Sequence, residues 1–457
     1  MAISLLACAP SAAEAGFIRI WKISEAAAAP VLVVGRVLAV QRGEPVPNGT
    51  LPWTPQTSYM TAEIQVLRSC RNSGEPLALD RIQVHFLAYG PIMTQMVNAT
   101  PLPNISSGDV LVLPLKENPQ PFRDAWNLMA DSGMDLVMPV RAEIPLSDPA
   151  PASARAFLDR EIVNVLSRGS PPEVFGVASY LAQQGEDLVG EFAPLLESAV
   201  GDDRRRWAEI ATSLLAGQGI PQPSVADLLS GKAQQKEWPG RGSFFLAQFA
   251  LEKLKASPET DALLIATTIA DMSAHAWGSA NVLLEFADNP LTMEGVRKAL
   301  RDDINGSSYV ASTLVHNGHW SILPEALARA LKVADRPDGD PTDLQGAAAV
   351  LRDYGSDQDL KQLAALVRKY QTQDQKFYNI LWQYCTEAGN PREALVLAAV
   401  LQDRRIDFDD YRYCDYAVGV LARAAKQDFG AGGKTLKERD DAVSRALAWI
   451  ASQGLPQ

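Results

Sequence analysis

Histidine and cysteine are scarce, with four of each in 457 residues. So few histidines leave little material for a metal centre or for acid–base catalysis. The cysteines, Cys8, Cys70, Cys385 and Cys414, are too few for a disulfide-built scaffold and lack the CxxC spacing of zinc or redox sites. No stretch approaches the roughly 18 to 20 continuous apolar residues that a helix needs to span a bilayer. Basic residues are outnumbered, 42 against 54 acidic, and the net charge of −12 provides no clustered basic face for nucleic acid. The GxSxG elbow, the Walker GxxxxGK and a GxGxxG following a strand are missing as well. Together these absences predict no enzyme activity, no cofactor and no metal.

The partial motifs have simpler explanations. His316 and His319 form HxxH, but Gly318 sits where a helix would break and no Glu occupies the metalloprotease position. Gly430-Ala431-Gly432-Gly433-Lys434-Thr435 ends in GKT, yet a phosphate loop must follow a buried strand and this one follows an apolar helix. It reads as an interhelical loop. Arg204, Arg205 and Arg206 follow Asp202 and Asp203 and read as a solvated, ion-paired helix start.

What is present is an ordinary globular composition, 47% apolar and 21% charged, in a chain long enough for more than one compact unit. The first residues have the character of an export segment. Leu5-Leu6-Ala7-Cys8 fits a lipobox in which Cys8 would carry lipid, and Ala13-Glu14-Ala15 before Gly16 fits a small-x-small cleavage site. Residues 1–15 are therefore expected to be a signal-like segment, with lipid tethering and soluble export both open, and an extracytoplasmic location. Residues 16–29 lead in to the folded region.

Residues 30–145 predict an antiparallel β domain, because apolar residues recur with period two in short runs bounded by Gly, Pro and Asn. Val31 to Val40 is nearly continuous; Ala62, Ile64 and Val66 alternate with Glu63 and Gln65; Ile82, Val84 and Phe86 alternate with Arg81, Gln83 and His85. That alternation puts His85 on the outer face. Val110 to Leu115 and Leu136 to Val140 complete the set. Long polar connections, Arg42 to Thr57 and Tyr89 to Asn104, are candidate functional loops, with Trp53, Tyr59 and Trp126 as candidate partner-contact aromatics. The order and spacing of the runs resemble the small β-barrel of the OB or netrin type, which implies a barrel or sandwich; the cysteine framework of the netrin-like inhibitors is absent, so inhibition does not carry over.

A Pro-rich linker, residues 146–152, then precedes a change of period to 3.6. Six successive apolar quartets at i, i+3, i+4 and i+7 begin at Leu344, Leu360, Leu381, Ala394, Cys414 and Val443. Alternate quartets recur every 33 to 37 residues or so, the mark of stacked helix pairs. Gly346 to Leu366, an Ala-rich helix, the break Tyr354-Gly355-Ser356-Asp357 and a Leu-spaced second helix, together with Asp202 to Leu215 and Asn390 to Leu401, each a charged or Pro-marked helix start followed by small and large apolar residues, resemble HEAT repeats, which implies an α-solenoid over residues 153–457. The fold class expected is α+β. Cys385 and Cys414 fall in equivalent helices of adjacent repeats and read as buried core thiols or, in an oxidising compartment, as a disulfide; Cys70 is expected to be unpaired. The function expected is protein–protein binding by a non-enzymatic scaffold, with enzyme or inhibitor activity seated in the β-domain loops, or a purely structural spacer, as alternatives.

Overall fold

The computed structural model describes residues 23–45, 57–89, 105–117, 126–128, 138–139, 153–182, 188–216, 225, 228, 241–255, 257–273, 276–386, 391–408 and 411–453. The fold is α+β, an N-terminal antiparallel sheet followed by a mostly helical remainder. Two compact units result, one of residues 1–223 and 227–255 and one of residues 224–226 and 256–457. The change from strand to helix and the division into units thus fall at different places.

In the first unit a short helix, α1 (Ile23–Ala27), leads into four main strands, β1 (Val31–Pro45), β2 (Thr57–Arg71), β3 (Arg81–Tyr89) and β4 (Val110–Glu117). Two short ones, β5 (Trp126–Leu128) and β6 (Met138–Pro139), complete one sheet of order β1-β2-β3-β5-β4-β6, with β1 also pairing with β4. The sheet is not closed into a barrel, nor is it a two-sheet sandwich, which corrects the expectation of either. The link between β3 and β4 passes through β5, which meets β3 in only two residue pairs, Val84–Trp126 and His85–Asn127. So short a ladder cannot replace a strand of full length.

The apolar run at the start of β1 has its reason in position. Flanked by β2 and β4, it is covered on both faces, and Val31, Leu32, Val33 and Val34 are all buried. Alternation holds elsewhere: Ile82 and Val84 are buried while Arg81 and Gln83 are exposed. His85 breaks the rule. Instead of facing outward it is buried at 8% exposure, its Nδ1 2.9 Å from the Thr61 hydroxyl, with β5 laid alongside. Burial pushes its pKa down, which keeps the imidazole neutral.

Among the described residues, helices α2 (Ala154–Arg168), α3 (Pro171–Ala182), α4 (Val189–Val200), α5 (Arg204–Ala216) and α6 (Arg241–Leu254) follow in this unit. Arg68 of β2 and Glu161 of α2 tie sheet to helix. The guanidinium Nε donates to Glu161 Oε1 at 2.6 Å and Nη2 to Oε2, and Glu161 is fully buried. Only a planar fork can satisfy both carboxylate oxygens at once. Arg205 is solvated and paired with Glu209 as expected, whereas Arg206 is buried and donates to the carbonyls of Val165 and Gly169 at the end of α2. The middle arginine faces water and the last one caps a neighbouring helix.

The second unit consists of α7 (Pro258–Asp271), α8 (Ala276–Glu285), α9 (Pro290–Arg301), α10 (Ser307–His316), α11 (Leu323–Ala334), α12 (Pro341–Tyr354), α13 (Asp357–Gln373), α14 (Gln375–Tyr384), α15 (Ala394–Val400), α16 (Tyr413–Ala425) and α17 (Leu436–Ser452). Two layers alternate along the chain. Helices α8, α10, α12 and α14 touch in series, as do α7, α9, α11, α13, α15 and α17, and consecutive helices from α9 to α17 touch across the layers. Four of the six quartets lie wholly on one of these helices, Leu344, Ala347, Ala348 and Leu351, for example, being buried in α12 and Cys414, Ala417, Val418 and Leu421 in α16; the quartet from Ala394 ends on the C-cap Leu401, and that from Leu381 runs past the end of α14 to Ala388, which lies outside the described residues. Starts are fixed by side-chain caps, among them a reciprocal Ser356–Asp359 box on α13. Thr435 of the GKT sequence is likewise the N-cap of α17, boxed with Glu438, so these residues end a loop and open a helix.

Candidate functional site

Between α15 and α16 the stack is interrupted by a hairpin of two short strands, β7 (Ile406–Phe408) and β8 (Tyr411–Arg412). Its base is fixed by charge. Arg405 forms a salt bridge with the buried Asp403 at 2.6 Å, lies over the rings of Tyr378 and Tyr413, and donates to the carbonyl of Gln371 at 2.7 Å. Burial pushes the Asp403 carboxyl up, but hydrogen bonds from Arg405 outweigh it and hold the group below its ordinary range. On the far side of the hairpin Arg412 bonds Asp415 at 2.8 Å and Asp440 at 2.7 Å, Arg404 also reaches Asp440 at 2.7 Å, and Arg439 stacks on Tyr411. The result is a non-helical insertion held by a network of ion pairs.

Beside it opens a cleft of about 720 Å³. The end of α14 contributes Trp382 and Gln383, the hairpin Tyr411, and α16 Asp415, Tyr416 and Arg423. Tyr416, Gly419, Val420 and Arg423 are spaced i, i+3, i+4, i+7, so they form one stripe of α16 while Cys414, Ala417, Val418 and Leu421 form the buried one. Tyr411 and Tyr416 lie with ring centroids 5.9 Å apart and remain 39% and 37% exposed. Gly419 lies along the wall. A Cβ placed there meets no atom within 4 Å, so no packing contact requires glycine at this point of the helix. Glycine inside a helix costs about 1 kcal/mol relative to alanine.

A second cluster has the residue types of a catalytic triad. Ser312 Oγ is 3.4 Å from His316 Nδ1, and His316 Nε2 is 2.8 Å from Asp353. The geometry does not make a base of His316. Its Nδ1 is only 2.7 Å from the Ser312 carbonyl oxygen, so both ring nitrogens face acceptors, an arrangement that the doubly protonated imidazolium satisfies. A base for Ser312 needs a free ring lone pair. The hydrogen bond to Asp353 raises the His316 pKa above its ordinary 6.5, against the opposing effect of burial. The pair is a stabilising ion pair with a pH signature. Because the folded-state pKa is raised, its contribution is fully present below the ordinary histidine value and is lost as the pH climbs through the raised one. The melting temperature of the native chain should therefore exceed that of His316→Gln at pH 6, and the gap should close by pH 9.

Among the described residues no group of three or more His, Cys, Asp and Glu could hold a metal ion, and no helix is long and apolar enough to cross a membrane. Cys70 is a free buried thiol, and so are Cys385 and Cys414, which do not form the disulfide considered above. Cys385 caps the end of α14, whereas Cys414 lies in the first turn of α16 with its Sγ 3.7 Å from Asp415 and Arg404. Burial pushes both thiols up, Cys385 most strongly. Of the aromatics singled out in the β region, Trp53 lies outside the described residues, as does Cys8. Tyr59 stands inside β2 opposite Leu87, not in a loop, and Trp126 pairs in β5 with Val84 and Glu117. Sequence reasoning missed the cleft because it followed only the buried quartet of α16; the second quartet on the same helix, containing a glycine among alanines and valines, was the available signal. Compared with known proteins, the chain matches no family model, and no curated protein or solved structure matches it.

Proposed function

We propose that the protein is a non-enzymatic binding scaffold that acts outside the cytoplasm, with HEAT-like helical repeats as its frame and the cleft beside the hairpin as the docking site for a protein partner. Gly419 carries this reading. A helix that accepts the cost of glycine with no packing need for it leaves room for something outside the chain. The lining supports a protein as occupant, since exposed tyrosine, buried tryptophan and arginine are the residues that dominate binding energy at protein interfaces. A stack in which helices touch only near neighbours also leaves long faces uncovered, as repeat proteins do. The export reading rests on the Leu5-Leu6-Ala7-Cys8 and Ala13-Glu14-Ala15 sequences, with a lipid on Cys8 as one outcome.

Gly419→Ala and Gly419→Trp test the docking site together. Alanine should raise stability by about 0.5–1 kcal/mol through helix propensity and reduced unfolded-state freedom, while tryptophan should fill the cleft and leave the helical circular dichroism intact. In quantitative affinity purification from the native envelope extract, proteins enriched by the native chain should be lost from Gly419→Trp. Identical enrichment by both would remove the cleft as the docking site.

A further inference from the structure

Where the end of α9 meets α11 a separate pocket of about 390 Å³ opens, and its charges do not balance. Four basic residues line it, Arg301, Arg329, Lys332 and Arg336, against two acids, Asp303 and Glu325. Both acids are already engaged. Glu325 lies 3.4 Å from Arg297, which is outside the lining, and Asp303 is shared by Arg329 and Arg336. Arg329 also bonds the buried Asp343 at 2.6 Å, so it needs no further counter-ion. Arg301 and Lys332 remain. Both are exposed, and neither forms a hydrogen bond or ion pair with any described residue, within a stretch, 276–386, that is described throughout. Asp302 and Asp335, next to Arg301 and Arg336, do not line the pocket, and Asp335 is bonded to Lys369 and Tyr370. Arg301 and Lys332 stand in the last turns of α9 and α11, where a cation offsets the helix dipole. Each helix end presents the equivalent of about half a negative charge, so the two ends together offset only one of these cations and the pocket stays positive.

We propose that this pocket binds a dianionic phosphoryl group, as free phosphate or as the phosphate monoester of a small organic molecule. The inference is independent of the docking cleft between α14 and α16. A guanidinium donates in a planar fork that fits phosphate oxygens, and an ammonium adds a point charge beside it. Arg301 and Lys332, long and unpaired, are able to turn onto the anion, and Arg336, half-buried, is held at the pocket by Asp303. The volume lies within the range of about 300–1,000 Å³ typical of small-molecule sites, which leaves room for an organic group against Leu300 and Ala328. The net charge of −12 does not prevent this, because charges beyond about 8 Å are largely screened at physiological salt.

Isothermal titration calorimetry of the full chain, at physiological salt and at two temperatures, with inorganic phosphate, glycerol 3-phosphate, dimethyl phosphate and succinate tests the assignment. At least one of the first two should bind at millimolar concentration or below, and the tighter of them identifies the free ion or the monoester. Dimethyl phosphate, with a single charge, and succinate, with planar carboxylates, should bind at least tenfold more weakly. Arg301→Gln and Lys332→Gln should each weaken the phosphate ligand about tenfold, as expected for loss of one charged hydrogen-bonding partner. Lys298→Gln removes the same charge from an exposed position of α9 outside the lining and should leave the affinity unchanged. No binding of either phosphate, equal binding of succinate or dimethyl phosphate, or equal weakening by Lys298→Gln would overturn the proposal.

Discussion

Replacing Gly346 by alanine should break the second unit open between α10 and α12. The Cβ would stand 2.3 Å from Tyr309 Cα, 2.4 Å from Tyr309 N and 2.6 Å from the Ser308 carbonyl carbon, all of them backbone atoms. A side chain could rotate away; a helix backbone cannot. Relief requires the two helices to separate, and their neighbours in the same layer, α8 and α14, are packed against them. Overpacking a tight contact costs about 1–3 kcal/mol, occasionally more, and a clash with backbone on every side belongs at the upper end. Hydrogen exchange of the amides of 307–316 and 341–354 should lose protection corresponding to about 3 kcal/mol. Unchanged protection would show that the helices are not this close.

The second large effect is electrostatic and lies one layer away. Arg329, 3% exposed in α11, donates through Nη2 to Asp343 Oδ2 at 2.6 Å and to the Ile304 carbonyl at 3.0 Å, through Nε to the Ser308 hydroxyl at 3.0 Å, and through Nη1 to Asp303. Asp343, 2% exposed, returns an acceptor to the Ser308 backbone N–H at 2.8 Å. One guanidinium therefore joins α10, α11, α12 and the turn before α10. Desolvating both ions is expensive, so the pair is worth little against a well-packed apolar replacement, but removing one partner strands the other. Asp343→Ala should destabilise by about 1–3 kcal/mol, since it removes the buried partner of Arg329, which keeps Asp303, and orphans the Ser308 amide. Asp343→Asn keeps an acceptor for Ser308 and should cost less. Chemical denaturation that ranks the two variants equally would show that the charge is not what matters.

How much of this was legible in the sequence depends on period. The quartets beginning at Leu344, Leu360 and Cys414 identified helices and their buried faces, because a single stripe against a core imposes the 3.6 repeat with little interference. The main strands were found for the same reason, yet β1 runs to 45, into the residues read as loop, and β2 begins at 57, where that loop was read to end. Those extensions, Gln41 to Pro45 and Thr57 to Met60, are paired across the sheet although their polarity is mixed, and Gln41, Arg42 and Gly43 are exposed. His85 and Arg206 were misplaced by rules that treat polar residues as outward, since each finds a partner inside: Thr61 for one, helix-end carbonyls for the other. The cleft depends on residues between 382 and 431 meeting in space, with Trp382, Tyr411 and Arg423 brought together by α14, a hairpin and α16. No local period encodes that meeting. Gly419 was the one residue whose oddity could be seen beforehand, and Gly346, quoted as part of a repeat, showed its purpose only when Tyr309 was found against it.

The most direct test places a photo-reactive benzoylphenylalanine at Tyr416, on the wall of the cleft, and at Arg205, which is exposed on α5, in the full chain expressed in its native cells. Irradiation should yield discrete heavier adducts from position 416 that are absent from position 205 and disappear when Gly419→Trp is added. No adduct at 416, or the same pattern from both positions, would contradict a docking site there.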